Sequence, residues 1–266
     1  MQKAETITSS ANPLIKDVRR AVSHGGLTQQ GWCVAETFHL LEEALRSGCE
    51  VKTVIMSESA RTSVEARVGS LPAIQKAVLP DVEFQRLAAT ETSQGVMSLV
   101  PLPDWTPEQL FRGDPLVMVL DGLQDPGNAG AIVRAAEAFG ASGVIFLKGT
   151  ASPFNPKTLR AAAGSLFRVP FLQGVDAETA RAILRENRLD LYAGVPARTG
   201  VRSLASVRLA ARCGLIVGSE AHGVSAEWRA SAQEISIPTV AVESLNAAMA
   251  AGILLYEARR QRTARP

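Results

Sequence analysis

The sequence predicts an α/β protein in which a mostly parallel sheet covered by helices occupies residues 116–266 and follows a small α/β domain over residues 1–100. Three observations predict it. Short runs of Val, Leu, Ile and Met alternate with stretches of helical period through the second half, the order that builds a parallel sheet with helices on both faces. These runs are continuously apolar, as strands buried on both faces require. Between the halves, PLPDWTPEQLFRGDP at 101–115 carries four prolines, which break any regular pattern and mark a linker.

In the first domain, HLLEEALRSG gives Leu40, Leu41, Ala44 and Leu45 helical spacing and reaches a C-terminal stop at Gly48; VKTVIMS and GVMSLV then read as strands. After the linker, PLVMVL is a buried strand, DGLQDPGN a loop, AGAIVRAAEAF a helix closed by Gly140, and GVIFL the next strand, which together make a βαβ unit. A helix from about Lys157, strands in LDLYAGV, GLIVG and ISI, and a final helix in SLNAAMAAGILLYEARRQ continue the alternation.

The 266 residues are 46% hydrophobic and 20% charged, enough apolar material for two cores. No apolar run reaches bilayer-spanning length, and MQKAETITSSANPLIKDVRR lacks the continuous apolar segment of a signal peptide, so a cytoplasmic protein with no membrane contact is expected. Cys33, Cys49 and Cys213 are widely spaced, form no CxxC pair, and read as reduced and structural; His24, His39 and His222 are scattered, so no metal site is expected. The net charge is +2, with 10 Lys and Arg against 11 Asp and Glu in residues 1–100 and 18 against 15 in 101–266. Part of the basic excess sits in the tail ARRQRTARP, which reads as a solvated helix end before it reads as a phosphate-binding patch.

In a parallel α/β sheet, ligands bind beyond the carboxyl ends of the strands, where helix N-termini expose unpaired backbone N–H groups. Three segments fall at such ends: DGLQDPGNAGAIVR, VGSEAHGVS and IPTVAVESLNAAMA. In the first, Gly127 and Gly130 allow close approach of a backbone or ligand, and Asn128 falls where a helix N-cap is expected. Capping accounts for Asn128 but not for Arg134, a guanidinium among Ile132, Val133, Ala135 and Ala136. Spacing alone leaves Arg134 snorkelling to solvent, pairing with Glu137 or Glu220, or serving a function. The second segment turns on Gly218 and Gly223 and lacks a GxSxG elbow, which argues against a serine nucleophile. Glu220 either bonds loop N–H groups or orients Arg134 or a ligand hydroxyl. In the third, Ser244 reads as the N-cap of the last helix with Leu245 turned inward, and NAAMAAGILLYEA permits tight packing.

Together these segments resemble the three signature motifs of the SpoU/TrmH family of RNA ribose 2′-O-methyltransferases, part of the SPOUT superfamily. LDGLQDPGNAGAIVRAAEAFGA is similar to the first, LIVGSEAHGVS to the second and ISIPTVAVESLNAAMAAGILLYEA to the third, in the family's order, with NPKTLRAAAGSLFRVP between them. ITSSANPLIKDVRR, FHLLEEALRSGCEVKTVIMSE and ETSQGVMSLV are similar to the substrate-binding domain that precedes the catalytic domain in many members. The resemblance implies a deep trefoil knot with the last helix tucked through a loop, S-adenosyl-L-methionine bound in a bent form, and a homodimer. It implies that Gly218, Ile237 and Leu245 hold the cofactor largely through backbone groups, with Glu220, Ser244 and Asn246 nearby, and that Asn128 and Arg134 face the ribose. The substrate it implies is RNA, ribosomal RNA ahead of transfer RNA.

A ribose 2′-hydroxyl must lose its proton as it attacks a methyl carbon, and the resemblance assigns Arg134 to activating it. A guanidinium keeps its proton up to a pH above about 12. Arg134 is therefore expected to position the hydroxyl and adjacent phosphate and to stabilise charge developing on oxygen, with Asn128 fixing the geometry. Three departures from the family pattern matter. Ala221 replaces the Gly after the second motif's Glu, which puts a positive φ there in question. IPTVAVESLN lacks the Met and Gly common after Ile-Pro and is a residue shorter. GGLTQQGWCVAET replaces a basic stretch and a Glu-Gly pair, which predicts fewer phosphate contacts.

Two readings compete. A family member that binds RNA without methylating it would keep the fold; Asn128, Arg134, Glu220, Ser244 and Asn246 argue against it and the altered loops argue for it. A nicotinamide-dependent oxidoreductase requires GxGxxG directly after the first strand and an acidic residue about 20 positions on, a spacing LDGLQDPGNAG does not supply.

Overall fold

The structure, a computed structural model, describes residues 4–69, 71, 73–209 and 212–263. The last three residues of the basic tail lie outside that range. The chain divides into two compact units, Met1–Pro103 with Phe154–Phe167, and Asp104–Pro153 with Arg168–Pro266.

The first unit runs β1 (Glu5–Thr6), α1 (Pro13–His24), β2 (Cys33–Glu36), α2 (Phe38–Arg46), β3 (Thr53–Ser57), α3 (Arg61–Val68), β4 (Gln75–Leu79), α4 (Asp81–Leu87) and β5 (Val96–Val100). Its sheet is ordered β1-β4-β3-β5-β2, parallel from β1 to β3 and antiparallel where β5 meets β3 and β2. Helix α1 has punctuation at both ends: Asn12 accepts from the Leu14 N–H, Pro13 opens the first turn, and Gly25 closes the helix in the left-handed region. Its Ile15, Val18 and Ala21, three residues apart, enter a core with Ile55, Phe84, Met97 and Leu99.

Glu36 at the end of β2 is only 1% exposed. Its Oε2 accepts from the Ala89 N–H at 3.2 Å and from Arg160 Nη1 at 3.0 Å, and its Oε1 from the Thr90 hydroxyl at 2.9 Å. A buried carboxylate without such partners costs several kcal/mol, so the three bonds fix the end of β2 against the loop after α4.

The second unit holds α5 (Pro107–Leu110), β6 (Leu116–Asp121), α6 (Pro126–Ala138) and β7 (Gly143–Leu147); helix α7 (Pro156–Ala162) groups with the first unit. It continues with β8 (Phe171–Val175), α8 (Ala177–Glu186), β9 (Asp190–Gly194), β10 (Arg202–Ser203), β11 (Cys213–Gly218), α9 (Ala226–Ser231), β12 (Gln233–Ser236) and α10 (Ala247–Thr263). The strands are ordered β10-β12-β9-β11-β6-β7-β8 and every pairing is parallel. The apolar runs are buried from end to end, Leu116 to Leu120 and Cys213 to Val217 among them. In register, Gly218 faces Asp121 and Ile235 faces Gly194, so the carboxyl ends of β6, β9, β11 and β12 share one edge.

Four details depart from the sequence expectations. The 101–115 stretch is not irregular throughout, because Thr106 and Gln109 form a capping box that starts α5. Helix α6 begins earlier than expected: Asp125, not Asn128, is its N-cap, accepting from the Gly127 N–H at 3.0 Å, and Asn128 is the third helical residue. Helix α10 begins later, with Asn246 in place of Ser244 as the cap; Asn246 Oδ1 accepts from Ala248 N at 3.0 Å and Met249 N at 3.2 Å. Ala221 has no positive φ, and Gly223 supplies that conformation at +64°. No helix among the described residues is long and apolar enough to cross a membrane. The three cysteines are free, and burial pushes the Cys33 thiol up to about 12, which keeps it unreactive.

Candidate active site

A cavity of about 400 Å³ opens where the strand ends converge, within the usual size range of small-molecule sites. The exits of β9 (Gly194, Val195) and β11 (Gly218 to Val224) wall it, together with the segment leading into α10 (Ile237, Thr239, Glu243 to Leu245). Gly218 is required by close approach: a Cβ there would lie 2.0 Å from the Gly223 carbonyl carbon and oxygen and 2.2 Å from Val224 N. The loop after β11 folds back tightly, with the Gly223 N–H donating to Ser219 O at 2.8 Å and the His222 N–H to Ser219 Oγ at 3.2 Å. Asp121 Oδ2 accepts from the Ser225 N–H at 2.7 Å and fastens this loop to the end of β6.

Two guanidiniums at the cavity share one carboxylate. Glu234 receives Arg229 Nε at 2.6 Å and Arg198 Nη2 at 2.5 Å, and these bonds, Arg229's foremost, hold its carboxyl below the usual range. Glu220 and Glu243 also line the cavity, with the polar Ser219, His222, Thr239 and Ser244 and the apolar Val195, Ile235, Ile237 and Leu254.

Of the expected cofactor residues, Gly218, Ile237 and Leu245 all line the cavity, as do Glu220 and Ser244. Asn128 and Asn246 reach it through Glu220. Asn128 Nδ2 donates to Glu220 Oε1, and Asn246 Nδ2 donates to Asn128 Oδ1 at 3.1 Å. One residue from each of the three segments thus forms a single amide–carboxylate chain. Because both ends of the Asn128 amide are engaged, its orientation is fixed, and Glu220 Oε2 stays unengaged among the described residues.

Arg134 stands outside this chain. It is exposed on α6, does not line the cavity, and takes no hydrogen bond or ion pair among the described residues. Neither pairing open at the sequence level forms: Glu137 bonds Arg168 Nε at 2.5 Å and Glu220 is taken by Asn128. Helical side chains lean back toward the N-terminus. The positions three, four and seven before Arg134 are Ala131, Gly130 and Gly127, so a low face leads from Arg134 back along the helix. Sequence reasoning missed Asp121 and the Gly194–Val195 exit of β9; the end of a buried strand was the signal for both.

Residues 115–256 match the SpoU rRNA Methylase family and residues 12–98 the MRM3-like substrate binding domain. The chain is 34% identical to an uncharacterized tRNA/rRNA methyltransferase of Synechocystis, over 97% of this chain and 95% of that protein. It is 31% identical to the 23S rRNA (guanosine(2553)-2′-O)-methyltransferase RlmP of Bacillus subtilis, over 95% and 98%. It superposes with a TM-score of 0.84, at 25% identity over 95% of this chain and 99% of the other, on the SpoU methyltransferase AviRb of Streptomyces viridochromogenes in complex with AdoMet. For an AdoMet-bound rRNA methyltransferase from Sinorhizobium meliloti the TM-score is 0.81, at 26% identity over 97% and 98%. The fold and these matches together define an RNA methyltransferase of the α/β class. The chain belongs to the SpoU rRNA methylase family, and the oxidoreductase reading falls with that match.

Proposed function

We propose that the chain transfers the methyl group of S-adenosyl-L-methionine to a ribose 2′-hydroxyl of ribosomal RNA. The observation that carries this reading is the chain of Asn246, Asn128 and Glu220 at the cavity cornered by Gly218. The cavity fits the cofactor: a Cβ-free corner admits backbone hydrogen bonds, Ile235 and Leu254 offer apolar surface, and the Glu220 and Glu243 carboxylates suit a cationic sulfonium. When bound, the cofactor supplies an electrophilic methyl group for in-line displacement. Gly218, Ile237 and Leu245 hold it, Ser244 and Glu220 border it, and Asn246 orients Asn128. Arg134 positions the ribose hydroxyl and its phosphate and stabilises charge on the attacking oxygen, while phosphate or water takes the proton.

The same reading assigns residues 1–100 to RNA substrate binding, 101–115 to a linker, and 116–266 to a trefoil-knotted methyltransferase domain. In support of the knot, the late strand β11 lies between β6 and β9, and α10, whose first turns carry the small residues Ala247, Ala250 and Ala251, packs on α6 and β11. A homodimer is supported by Met249 and Tyr256, exposed by 58% and 55% and two helical turns apart on α10, with Tyr256 edge-on to Phe139 at 5.8 Å. Free cysteines suit a cytoplasmic enzyme.

The test pairs calorimetry with methyl transfer for the Arg134→Ala protein. Cofactor affinity equal to that of the unaltered protein is expected, with transfer to ribosomal RNA reduced by about 100-fold or more. Undiminished transfer removes the role of Arg134. Failure of the unaltered protein to bind cofactor at millimolar concentration favours a non-catalytic RNA binder. Mapping 2′-O-methyl marks with and without the gene decides between ribosomal and transfer RNA.

A further inference from the structure

A second cavity, of about 310 Å³, lies entirely within the first unit, at the ends of β3 and β4 and the start of β5. Its lining is polar and includes a carboxylate: Ser57, Ser59, Asp81 and Gln94 contribute, and among the described residues no Lys or Arg does. Asp81 Oδ1 accepts from the Ser59 N–H at 3.1 Å and the Ser59 hydroxyl at 2.7 Å, bonds that hold its carboxyl below the ordinary range and keep it ionised. Phe38 supplies an aromatic wall, and the Arg67 guanidinium lies 4.3 Å from its ring centroid, anchored by Glu42 at 2.8 Å.

The backbone beside this cavity is strained. Thr37 has φ +131° and ψ 155°, a region that only glycine adopts freely, and it is the single residue that turns β2 into α2. The strain is held from both sides. On one, the buried Glu36 carboxylate is locked by Ala89, Thr90 and Arg160. On the other, the Phe38 N–H donates to Gln94 Oε1 at 2.9 Å and the Leu40 N–H to Thr37 Oγ1 at 3.2 Å. The product of this arrangement is a fixed Phe38 at the cavity wall. Strain of this kind persists where surrounding structure over-determines it, and such positions cluster at binding sites.

Single-stranded RNA is read by stacking unpaired bases on aromatic rings and hydrogen-bonding their edges. An anionic lining repels phosphate and accepts N–H donors, and guanine alone among the bases offers two adjacent donors on its Watson–Crick edge. We infer that this cavity receives one unpaired guanine of the RNA substrate, stacked on Phe38 and read by Asp81. The inference rests on the methyltransferase reading only in taking RNA as the substrate.

The test measures anisotropy of labelled pentanucleotides AAGAA, AAIAA (I, inosine, which lacks the 2-amino group) and AAUAA with the full-length protein and no cofactor. Tightest binding to AAGAA is expected, with inosine and uracil weaker by about tenfold. Phe38→Ala should weaken AAGAA by about tenfold or more. Asp81→Asn should bind AAGAA and AAIAA alike. Ser63→Trp, on the rim of the cavity, should block all preference and covers the case in which Phe38→Ala fails to fold. Equal affinity of the unaltered protein for the three oligonucleotides overturns the inference, as does a guanine preference that survives both Asp81→Asn and Ser63→Trp. Cofactor binding and methyl transfer are scored separately, so loss of the methyltransferase reading leaves the oligonucleotide result standing, and the reverse.

Discussion

Asn128 is held at both ends of its amide, donating to Glu220 Oε1 and accepting from Asn246 Nδ2 at 3.1 Å, although 118 residues separate it from Asn246 in sequence. With Asp125 taking over the capping of α6, Asn128 has no local duty left. Its side chain instead links all three strand-end segments beside the cavity.

Asn128→Ala should therefore leave cofactor affinity within about threefold, because Asn128 does not line the cavity, while methyl transfer falls by about 100-fold as Glu220 loses its fixed orientation. A double-mutant cycle with Glu220→Ala should be strongly non-additive. Additive losses, or a large drop in cofactor affinity from Asn128→Ala alone, would show that the amide is not a positioning group.

Gly218→Ala makes the opposite prediction. The added methyl would meet backbone atoms of Gly223 and Val224 at 2.0–2.2 Å, and backbone cannot swing aside as a side chain can. The loop after β11 must shift, so calorimetry should show cofactor affinity reduced by about tenfold or more, while residues buried in β11 keep the sheet folded. An unchanged dissociation constant would mean that the loop is not part of the cofactor wall.

Much of this architecture was legible. PLVMVL, GVIFL and GLIVG became buried parallel strands because a doubly covered strand has to be apolar throughout. The cavity followed from the strand ends, which a parallel order aligns. Legibility failed where one polar residue has several competing partners. Asn128 and Ser244 both looked like caps, yet Pro126 fixes the α6 start one residue after Asp125, and Asn246, nearer to α10, bonds two of its N–H groups. Helix α9 is only six residues long and gives no readable period; its one fully buried anchor is Trp228. The strained Thr37 could not be foreseen, because a β-branched residue is the last one expected at positive φ.

The α8 N-cap gives a pH prediction. Asp176 Oδ1 accepts from the Thr179 N–H at 2.8 Å, and this bond foremost, with Lys148 adding to it, holds the Asp176 carboxyl down at about 2, below the ordinary carboxylate value. A depressed carboxylate stabilises the fold above its unfolded pKa and loses that contribution as pH falls through the folded one. Asp176→Asn keeps a capping oxygen but not the charge. The variant should show a lower urea midpoint than the parent at about pH 6, and the gap should narrow below about pH 4 and close near about pH 2. A gap that is constant across that window would assign the difference to the cap's shape instead of its charge.

Thr37 offers a ranking in place of a single value. Its backbone strain costs on the order of 1–3 kcal/mol, and glycine at φ +131° would relieve it. Against that gain stand the extra unfolded-state entropy of glycine, about 0.5–1 kcal/mol, and the lost Thr37 Oγ1 cap to Leu40 N, which costs only a few tenths when glycine replaces threonine. The strain term is the largest, so Thr37→Gly should be as stable as the parent or more stable by about 1 kcal/mol. Thr37→Ala keeps most of the strain and loses the cap, so it should fall below the parent by about 1 kcal/mol. Urea denaturation of the three proteins should order them glycine, threonine, alanine. If alanine equals glycine, the backbone at residue 37 relaxes freely, and the preorganised wall assigned to Phe38 loses its basis.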